Sequence, residues 1–146
     1  MIAVDTNFLV YAHRADQSWN KAAHACLTRL AEGQAAWAIP WPCLHEFIAV
    51  VTRPKVFDPP STMKQAINQL DGWMGSPSLS LIGETPQHWA TLQRIVAAAK
   101  IAGAAIHDAR VAAICLDHGV HELWTVDRDF SKFPELRTRN PLVNAP

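Results

Sequence analysis

Five acidic residues lie in sequence contexts that are unusual for surface carboxylates. Asp5 ends the apolar run IAV near the start of the chain, and Asp127 and Asp129 follow the apolar run LWTV. Glu46 and Asp108 lie within apolar helical patterns, CLHEFIAVV and AAIHDARVAAICL. A carboxylate in apolar surroundings is costly unless it is paired, protonated or bound to a metal. The spacing of these acids therefore raises the question of a shared metal site.

The chemistry of such a site follows from the ligand types. Carboxylates that lie close together repel one another and raise each other's pKa, and a divalent cation removes this repulsion. Oxygen ligands without a cysteine pair or a histidine cluster suit hard cations, here Mg²⁺ or Mn²⁺. A site of this kind polarises a phosphoryl oxygen and lowers the pKa of a bound water, as phosphodiester hydrolysis requires.

The alternative interpretation gives each helical acid an arginine partner such as Arg110 or Arg128. For Glu46 alone or Asp108 alone, the structural and the functional interpretation carry equal weight. Four acids together favour a shared site, since two follow strands and two lie on helix faces that are predicted to point inward. The neighbours of Glu46 on its helix, for example, are Cys43, Ala49 and Val50,.

Alternating short apolar runs and amphipathic segments predict strands that are separated by helices. The predicted strands are 1–4, 35–39, 79–82, 122–126 and a last edge strand at 141–143. The predicted helices are 7–14, 18–32 with Ser18 as N-cap, 43–53, 61–75 with Ser61 as N-cap, 86–102 and 104–118,. This order predicts an α/β fold, a three-layer α/β/α sandwich around a parallel sheet of four or five strands, in a single domain over residues 1–146.

The predicted topology brings the acids together. In an open parallel sheet, ligands bind outside the carboxyl ends of the strands. Asp5 follows the first strand and Asp127 follows the fourth, so both are expected at the same edge of the sheet.

Composition limits the classes of protein that need to be considered. With 49% hydrophobic and 18% charged residues the chain is globular,. The formal net charge is zero, which counts against a nucleic-acid binder unless basic residues form a local patch,. The three cysteines are expected to be buried free thiols, as is typical of a reducing cytosol,. Neither a signal peptide nor an apolar run of the roughly 18 residues needed to cross a membrane is apparent, so we expect a cytoplasmic protein without membrane contact.

The tryptophans are mostly expected in the core. Trp19, Trp37, Trp73 and Trp89 lie within helix or strand patterns, which favours core packing. Trp41, just before the Glu46 helix, is the best candidate for stacking on nucleobases.

The ordered set of motifs resembles the PIN-domain ribonucleases and, more closely, the VapC-type toxins of bacterial toxin–antitoxin modules. The resemblance covers essentially the whole chain, and its motifs are VDTNFLVYA, Glu46 after the second strand, IHDARVAAIC and LWTVDRDF. It implies a PIN-like fold and a Mg²⁺- or Mn²⁺-dependent endoribonuclease. The implied catalytic and metal-binding acids are Asp5, Glu46, Asp108 and Asp127.

The resemblance also implies supporting residues and partners. Thr6, Asn7 and Thr125 occupy polar positions that support the site, and Asp129 is a fifth member or a neighbour of the ligands. The resemblance implies a homodimer and a cognate antitoxin that inserts a segment into the site. Because the site is acidic, we expect that segment to present an arginine between the Glu46 helix and the Asp108 helix.

The substrate prediction has two alternatives. RNA phosphates are expected to contact Arg14, Arg128 and Lys132,. The same acids could serve another metal-dependent nuclease or a phosphatase, and the fold could serve a non-catalytic PIN-like binding module. The presence of all four acids counts against the binding module.

Overall fold

A five-stranded parallel sheet forms the centre of the computed structural model, which describes residues 1–143. The strands lie in the order β3-β2-β1-β4-β5, and every neighbouring pair is parallel. Their bounds are β1 Ile2–Val4, β2 Trp37–Pro40, β3 Leu79–Ile82, β4 Glu122–Trp124 and β5 Thr138–Arg139. The predicted α/β fold with four or five parallel strands is confirmed.

Helices cover both faces of this sheet. Their bounds are α1 Thr6–His13, α2 Asn20–Glu32, α3 Trp41–Val51, α4 Met63–Met74, α5 His88–Ala99 and α6 Ile106–Asp117, with 3-10 turns at Gly103–Ala105 and Arg128–Lys132. α1 packs on α2 and α3, α3 packs on α4, and α5 packs on α6. The connections β1 to β2 and β2 to β3 run towards one edge of the sheet, whereas the connection β3 to β4 runs back towards the other edge. Because such crossovers are right-handed, the helices of the first connections (α1–α4) cover one face and those of the return connection (α5 and α6) cover the other. This confirms the three-layer sandwich. Across residues 1–143, no helix combines the length and the apolar character needed to cross a bilayer.

The position of the strands explains their burial and the place of the site. All four residues of β2 are buried, because this inner strand is covered on both faces, whereas both residues of the edge strand β5 are exposed,. The direction in which the chain winds along the sheet reverses between β1 and β4. In open α/β sheets a crevice forms at this reversal, outside the carboxyl ends of the strands.

Three helices start later than predicted, and capping chemistry explains one of these shifts. Thr62, rather than Ser61, caps α4, because Thr62 accepts from the N–H of Gln65 while the Gln65 side chain accepts from the N–H of Thr62,. α2 and α5 each begin two residues later than predicted, at Asn20 and His88. α5 also ends before residue 102, since the residue after Ala99 adopts a left-handed φ of 53°,.

The predicted edge strand at 141–143 is wrong. The last strand is Thr138–Arg139, and residues 141–143 form a turn. The Asn140 side chain accepts the N–H of Leu142 at 3.0 Å, and Pro141 has no N–H to offer to a neighbouring strand,. Leu142 is nevertheless buried, so its apolar character reflects packing and not strand pairing.

The tryptophan predictions are half right. Trp37 and Trp73 lie in the core, with 0% and 9% exposure. Trp19 and Trp89 are 44% and 66% exposed, so their prediction as core residues is wrong. Both lie at the start of a helix, where helical periodicity does not fix the direction of a side chain. The three cysteines are buried free thiols, as predicted.

Candidate metal centre

Four elements bring the predicted acids to one end of the sheet. Asp5 follows β1 directly, and its backbone N–H donates to the Trp124 carbonyl at 3.0 Å, so the pairing of β1 with β4 extends to Asp5. Asp127 lies in the turn after β4. Glu46 lies in the middle of α3, which begins where β2 ends, and Asp108 lies in the first turn of α6.

The Asp5 carboxylate is buried and hydrogen-bonded on both oxygens. Its residue is 6% exposed. The Thr125 hydroxyl donates to Oδ2 at 2.8 Å, and the Cys43 thiol donates to Oδ1 at 3.5 Å. Burial raises the pKa of Asp5 to about 6, and the Thr125 hydrogen bond is the largest effect that opposes this rise. The carboxylate is thus held in one orientation, although burial makes its charge costly.

Glu46 lies next to Asp5 but is exposed. The buried Thr6 hydroxyl donates to Glu46 Oε2 at 3.0 Å, which orients the carboxylate. The prediction that Glu46 faces the core is wrong, because the apolar stripe around it, including Pro42 and Ala49, forms the wall of an open cleft. The side chain of Asn7, one residue beyond Thr6, is exposed in the first turn of α1.

Asp108, Asp127 and Asp129 form a second group, which we call the carboxylate trio. One oxygen from each lies within 4.8 Å of the others. The backbone N–H of Asp129 donates to Asp127 Oδ1 at 2.8 Å, and this fixes the turn. Burial raises the pKa of Asp108, and the charges of Asp127 and Asp129 raise it further. Asp5 and Glu46 lie outside the trio.

The Thr125 hydroxyl connects the two groups. It donates to Asp5 and accepts the backbone N–H of Asp127 at 3.0 Å. Thr125 is buried, so its hydrogen bond to Asp5 is shielded from water, whereas the one from Asp127 is partly buried. The position of Asp127 is therefore coupled to that of Asp5 through one side chain.

A cleft of about 530 Å³ opens between α3 and α6, with Asp5, Glu46 and Asp108 in its lining. The polar and charged residues that complete the lining are His45, His107 and Arg110. The two histidines were not predicted, since no spacing rule points to them, and Arg110 was considered only as a partner for a helical acid. Arg110 pairs with Glu84 at 2.5 Å and not with a site acid. Within residues 1–143, no ion pair joins a Lys or Arg to the five acids, so the alternative of arginine partners is not what the structure shows.

Cys43 is the other residue that the sequence did not single out for the site. Its thiol is fully buried and contacts Asp5. Burial and the nearby charge of Asp5 raise the pKa of Cys43 well above its usual range, so the sulfur is a protonated donor. The available signal was its position three residues before Glu46, on the same side of α3.

The predicted basic residues lie at different distances from the acids. Lys132 ends the 3-10 turn that follows Asp127, and its charge lowers the pKa of Asp108. Arg128 is exposed in the turn that follows Asp127. Arg14 lies at the far end of α1, where its guanidinium contacts Asp16 at 2.5 Å and 3.0 Å.

The donor set fits a hard divalent cation. All five candidate ligands are carboxylates, and the repulsion that raises the pKa of Asp108 is the kind that a cation relieves,. Oxygen-only sites of this kind suit Mg²⁺ or Mn²⁺. The candidate ligands therefore form two groups: Asp5 and Glu46, which side-chain hydrogen bonds orient, and the carboxylate trio.

Comparison with known proteins gives consistent results. A sequence model of the PIN domain matches residues 2–136. Ribonuclease VapC43 of Mycobacterium tuberculosis is 34% identical over 142 residues, which cover 97% of this chain and 96% of that protein. Among solved structures, VapBC2 of Rickettsia felis bound to a promoter DNA fragment gives a TM-score of 0.69 at 21% identity, covering 95% of this chain and 98% of that one. The sarcin–ricin loop cleaving toxin VapC20 of Mycobacterium tuberculosis gives 0.67 at 15% identity, covering 90% and 93%.

Proposed function

Since the chain belongs to the PIN domain family, we propose that it is a metal-dependent endoribonuclease that hydrolyses RNA phosphodiester bonds in the cleft between α3 and α6. The observation that carries the proposal is the convergence of Asp5, Glu46 and Asp108 on this cleft, with Asp127 and Asp129 grouped next to Asp108. Within residues 1–143, none of these five acids forms an ion pair with a Lys or Arg. The relative at 34% identity is named a ribonuclease, which supports RNA as the substrate class.

The predicted ligands Asp5, Glu46, Asp108 and Asp127 would hold the cation. Of the two roles predicted for Asp129, we propose that of a fifth ligand, because its carboxylate oxygen lies within 4.8 Å of those of Asp108 and Asp127. A bound Mg²⁺ or Mn²⁺ would supply a polarised phosphoryl oxygen and a water of lowered pKa.

The chain's own residues organise this chemistry. Thr125 and Cys43 each donate to one oxygen of Asp5, so each oxygen keeps a second lone pair for a cation,. Thr6 orients Glu46 in the same way. Arg128 and Lys132 begin and end the 3-10 turn that follows Asp127, and both would contact phosphates of the bound strand,.

The proposal is tested with purified protein and a panel of single-stranded RNA, single-stranded DNA and p-nitrophenyl phosphate. RNA should be cleaved internally with Mg²⁺ or Mn²⁺ and not with EDTA, and Asp108→Asn should be inactive. Faster turnover of DNA or p-nitrophenyl phosphate would support the alternative nuclease or phosphatase. RNA binding without cleavage at any metal concentration would support the non-catalytic module. Calorimetric titration with each metal then decides between Mg²⁺ and Mn²⁺.

We also propose two protein partners, a second copy of the chain and an antitoxin. The similar VapBC2 structure and the VapC-type motifs support an antitoxin, and the exposed Met63 and Ile67, one turn apart on α4, offer apolar surface for partner contact. The negative cleft suits an arginine from the antitoxin. Co-expression with the adjacent small gene, followed by Arg→Ala changes near its C-terminus, tests this contact. Light scattering of the purified chain tests the homodimer.

A further inference from the structure

Trp41 is exposed and immediately precedes Pro42, which lines the cleft. This first residue of α3 is 41% exposed, whereas Trp37, four residues earlier in β2, is completely buried. An indole combines a large apolar face with one N–H donor, so an exposed indole beside a polar cleft is suited to stack on a flat ring. Trp41 also makes no contribution to the metal ligands, so the proposed chemistry does not account for it.

The indole is held by its surroundings and not merely projecting into solvent. Its ring lies 6.1 Å from that of His45, with 34° between the planes. A Cβ at Gly83 would lie 3.4 Å from Trp41 Cδ1, so the residue that follows β3 lies near the indole. His45 is itself exposed and lines the cleft together with Glu46. Trp41 thus has a neighbouring ring that itself lines the cleft beside Glu46.

The chemistry of this surface favours a nucleobase over an apolar protein surface. His45 and Glu46 separate Trp41 from Asp5, and both are polar. A base presents a flat π face to an aromatic ring and polar edges to such neighbours. Trp89, by contrast, is 66% exposed on α5 in a shallow groove formed with Leu92, Val96 and Ile106, with no acid in its lining.

We propose that Trp41 and His45 form a base-stacking subsite, which takes one unstacked base of single-stranded RNA while an adjacent phosphate lies in the acidic cleft. The subsite rests on the proposed ribonuclease function. Because every base has a π face, the subsite selects unpaired nucleotides and not one sequence. It would therefore direct cleavage to loops and single-stranded segments.

Binding measurements test the subsite independently of cleavage. Anisotropy of a labelled ten-nucleotide RNA is followed without added metal in the Asp108→Asn variant, so that the strand stays intact. Adding Trp41→Ala should weaken binding roughly 5- to 150-fold, the range for one base stacked on an aromatic ring. Trp41→Phe should restore most of the affinity, and His45→Ala should cause a smaller loss. Trp89→Ala is the matched control and should leave the affinity unchanged.

Abasic substitutions identify the stacked nucleotide. The RNA is made with one abasic residue at each position in turn, and at one position the penalty of Trp41→Ala should disappear. An equal penalty at every position, an affinity within twofold of the parent, or an equal loss with Trp89→Ala would overturn the subsite. A thermal midpoint that falls with Trp41→Ala and with Trp41→Phe alike would show a structural role instead. If the parent protein neither binds nor cleaves any RNA, the proposed function itself fails and the subsite with it.

Discussion

The two groups of acids differ in what holds them in place. Asp5 and Glu46 are oriented by side-chain donors, namely Thr125 and Cys43 for Asp5 and Thr6 for Glu46. The carboxylate trio has a backbone donor at Asp127, but its members mainly face one another. One group is thus organised by hydrogen bonds before any cation binds, whereas the other is assembled by the backbone against mutual repulsion.

This difference indicates that the two groups of acids contribute differently to cation binding. Asp5 and Glu46 set the geometry of the site, because hydrogen bonds fix their orientation before a cation binds. The carboxylate trio supplies cation affinity, since a bound cation relieves the repulsion among its members. Thr125 forms hydrogen bonds with both Asp5 and Asp127, so it fixes the position of one group relative to the other.

Neutralising a member of the trio should have the largest effect. Asp108→Asn should lower the rate of RNA cleavage by about a hundredfold or more, the scale of removing one electrostatic contribution from a catalytic site. In EDTA the variant should be as stable as the wild type or more stable, because burial and the charges of Asp127 and Asp129 oppose the ionisation of Asp108. Cleavage assays and thermal melts measure both effects.

The control for this prediction is Glu135→Gln. Glu135 is exposed and pairs with Arg94, so this change should leave cleavage within twofold,. Full activity in folded Asp108→Asn, or a clear loss of stability in EDTA, would mean that the trio is not a repelling cation site.

The pH dependence of stability should distinguish the buried carboxylate. The pKa of Asp5 is about 6 in the folded protein and 3.8 in the unfolded chain, so the folded state binds protons more tightly. Its contribution to stability is complete below pH 3.8 and is lost as the pH rises through 6,. The loss should be about 3 kcal/mol on the scale of 1.36 kcal/mol per pKa unit.

Urea unfolding in EDTA at several pH values, from about pH 4 to pH 7.5, measures this loss. The unfolding free energy of the wild type minus that of Asp5→Asn should fall as the pH rises across this window. Saturating Mn²⁺ should offset the decline in the wild type, because a cation stabilises the ionised carboxylate. A difference that stays constant with pH would show that Asp5 is not buried as a costly charge.

Topology explains why part of the site was predictable. Asp5 and Asp127 follow strands β1 and β4, and the alternation of strands and helices already places such residues at one edge of the sheet,. Glu46 and Asp108 were found because an acid in an apolar helical pattern is costly. These arguments need only periodicity and chain order, which a single sequence contains.

Tertiary packing determined what was missed. Periodicity assigned Glu46 to the core, but the apolar stripe beside it turned out to line the open cleft. The contact between Cys43 and Asp5 was missed because these residues are 38 positions apart and meet only in the folded chain. The strand at 141–143 failed for a local reason, since the Asn140 side chain accepts the N–H of Leu142 and forms a turn,.

Removing the connection between the two groups should have an intermediate effect. Thr125→Val deletes the hydroxyl that donates to Asp5 and accepts the N–H of Asp127, and it leaves these buried groups short of a partner. The free energy of unfolding should fall by about 1–3 kcal/mol, and Mn²⁺ affinity should fall with it. Thr125→Ser retains the hydroxyl and should retain most of the affinity. Calorimetry and urea unfolding measure the two effects, and equal behaviour of the two variants would exclude Thr125 as the connection.

The smallest effect should come from Cys43, the weaker of the two side-chain donors to Asp5. Cys43 and Cys115 are both fully buried, and both lie near enough to Asp5 for its charge to raise their pKa values, but only Cys43 donates to it. Cys43→Ala and Cys115→Ala should each lower the free energy of unfolding by on the order of 1 kcal/mol, since each leaves a small cavity. A thiol is a weak donor, so only Cys43→Ala should also reduce Mn²⁺ affinity, by a few-fold. Cys43→Ser should restore that affinity, because a hydroxyl keeps the donation to Oδ1. Equal Mn²⁺ affinities in the two alanine variants would show that Asp5 is oriented by Thr125 without help from the thiol.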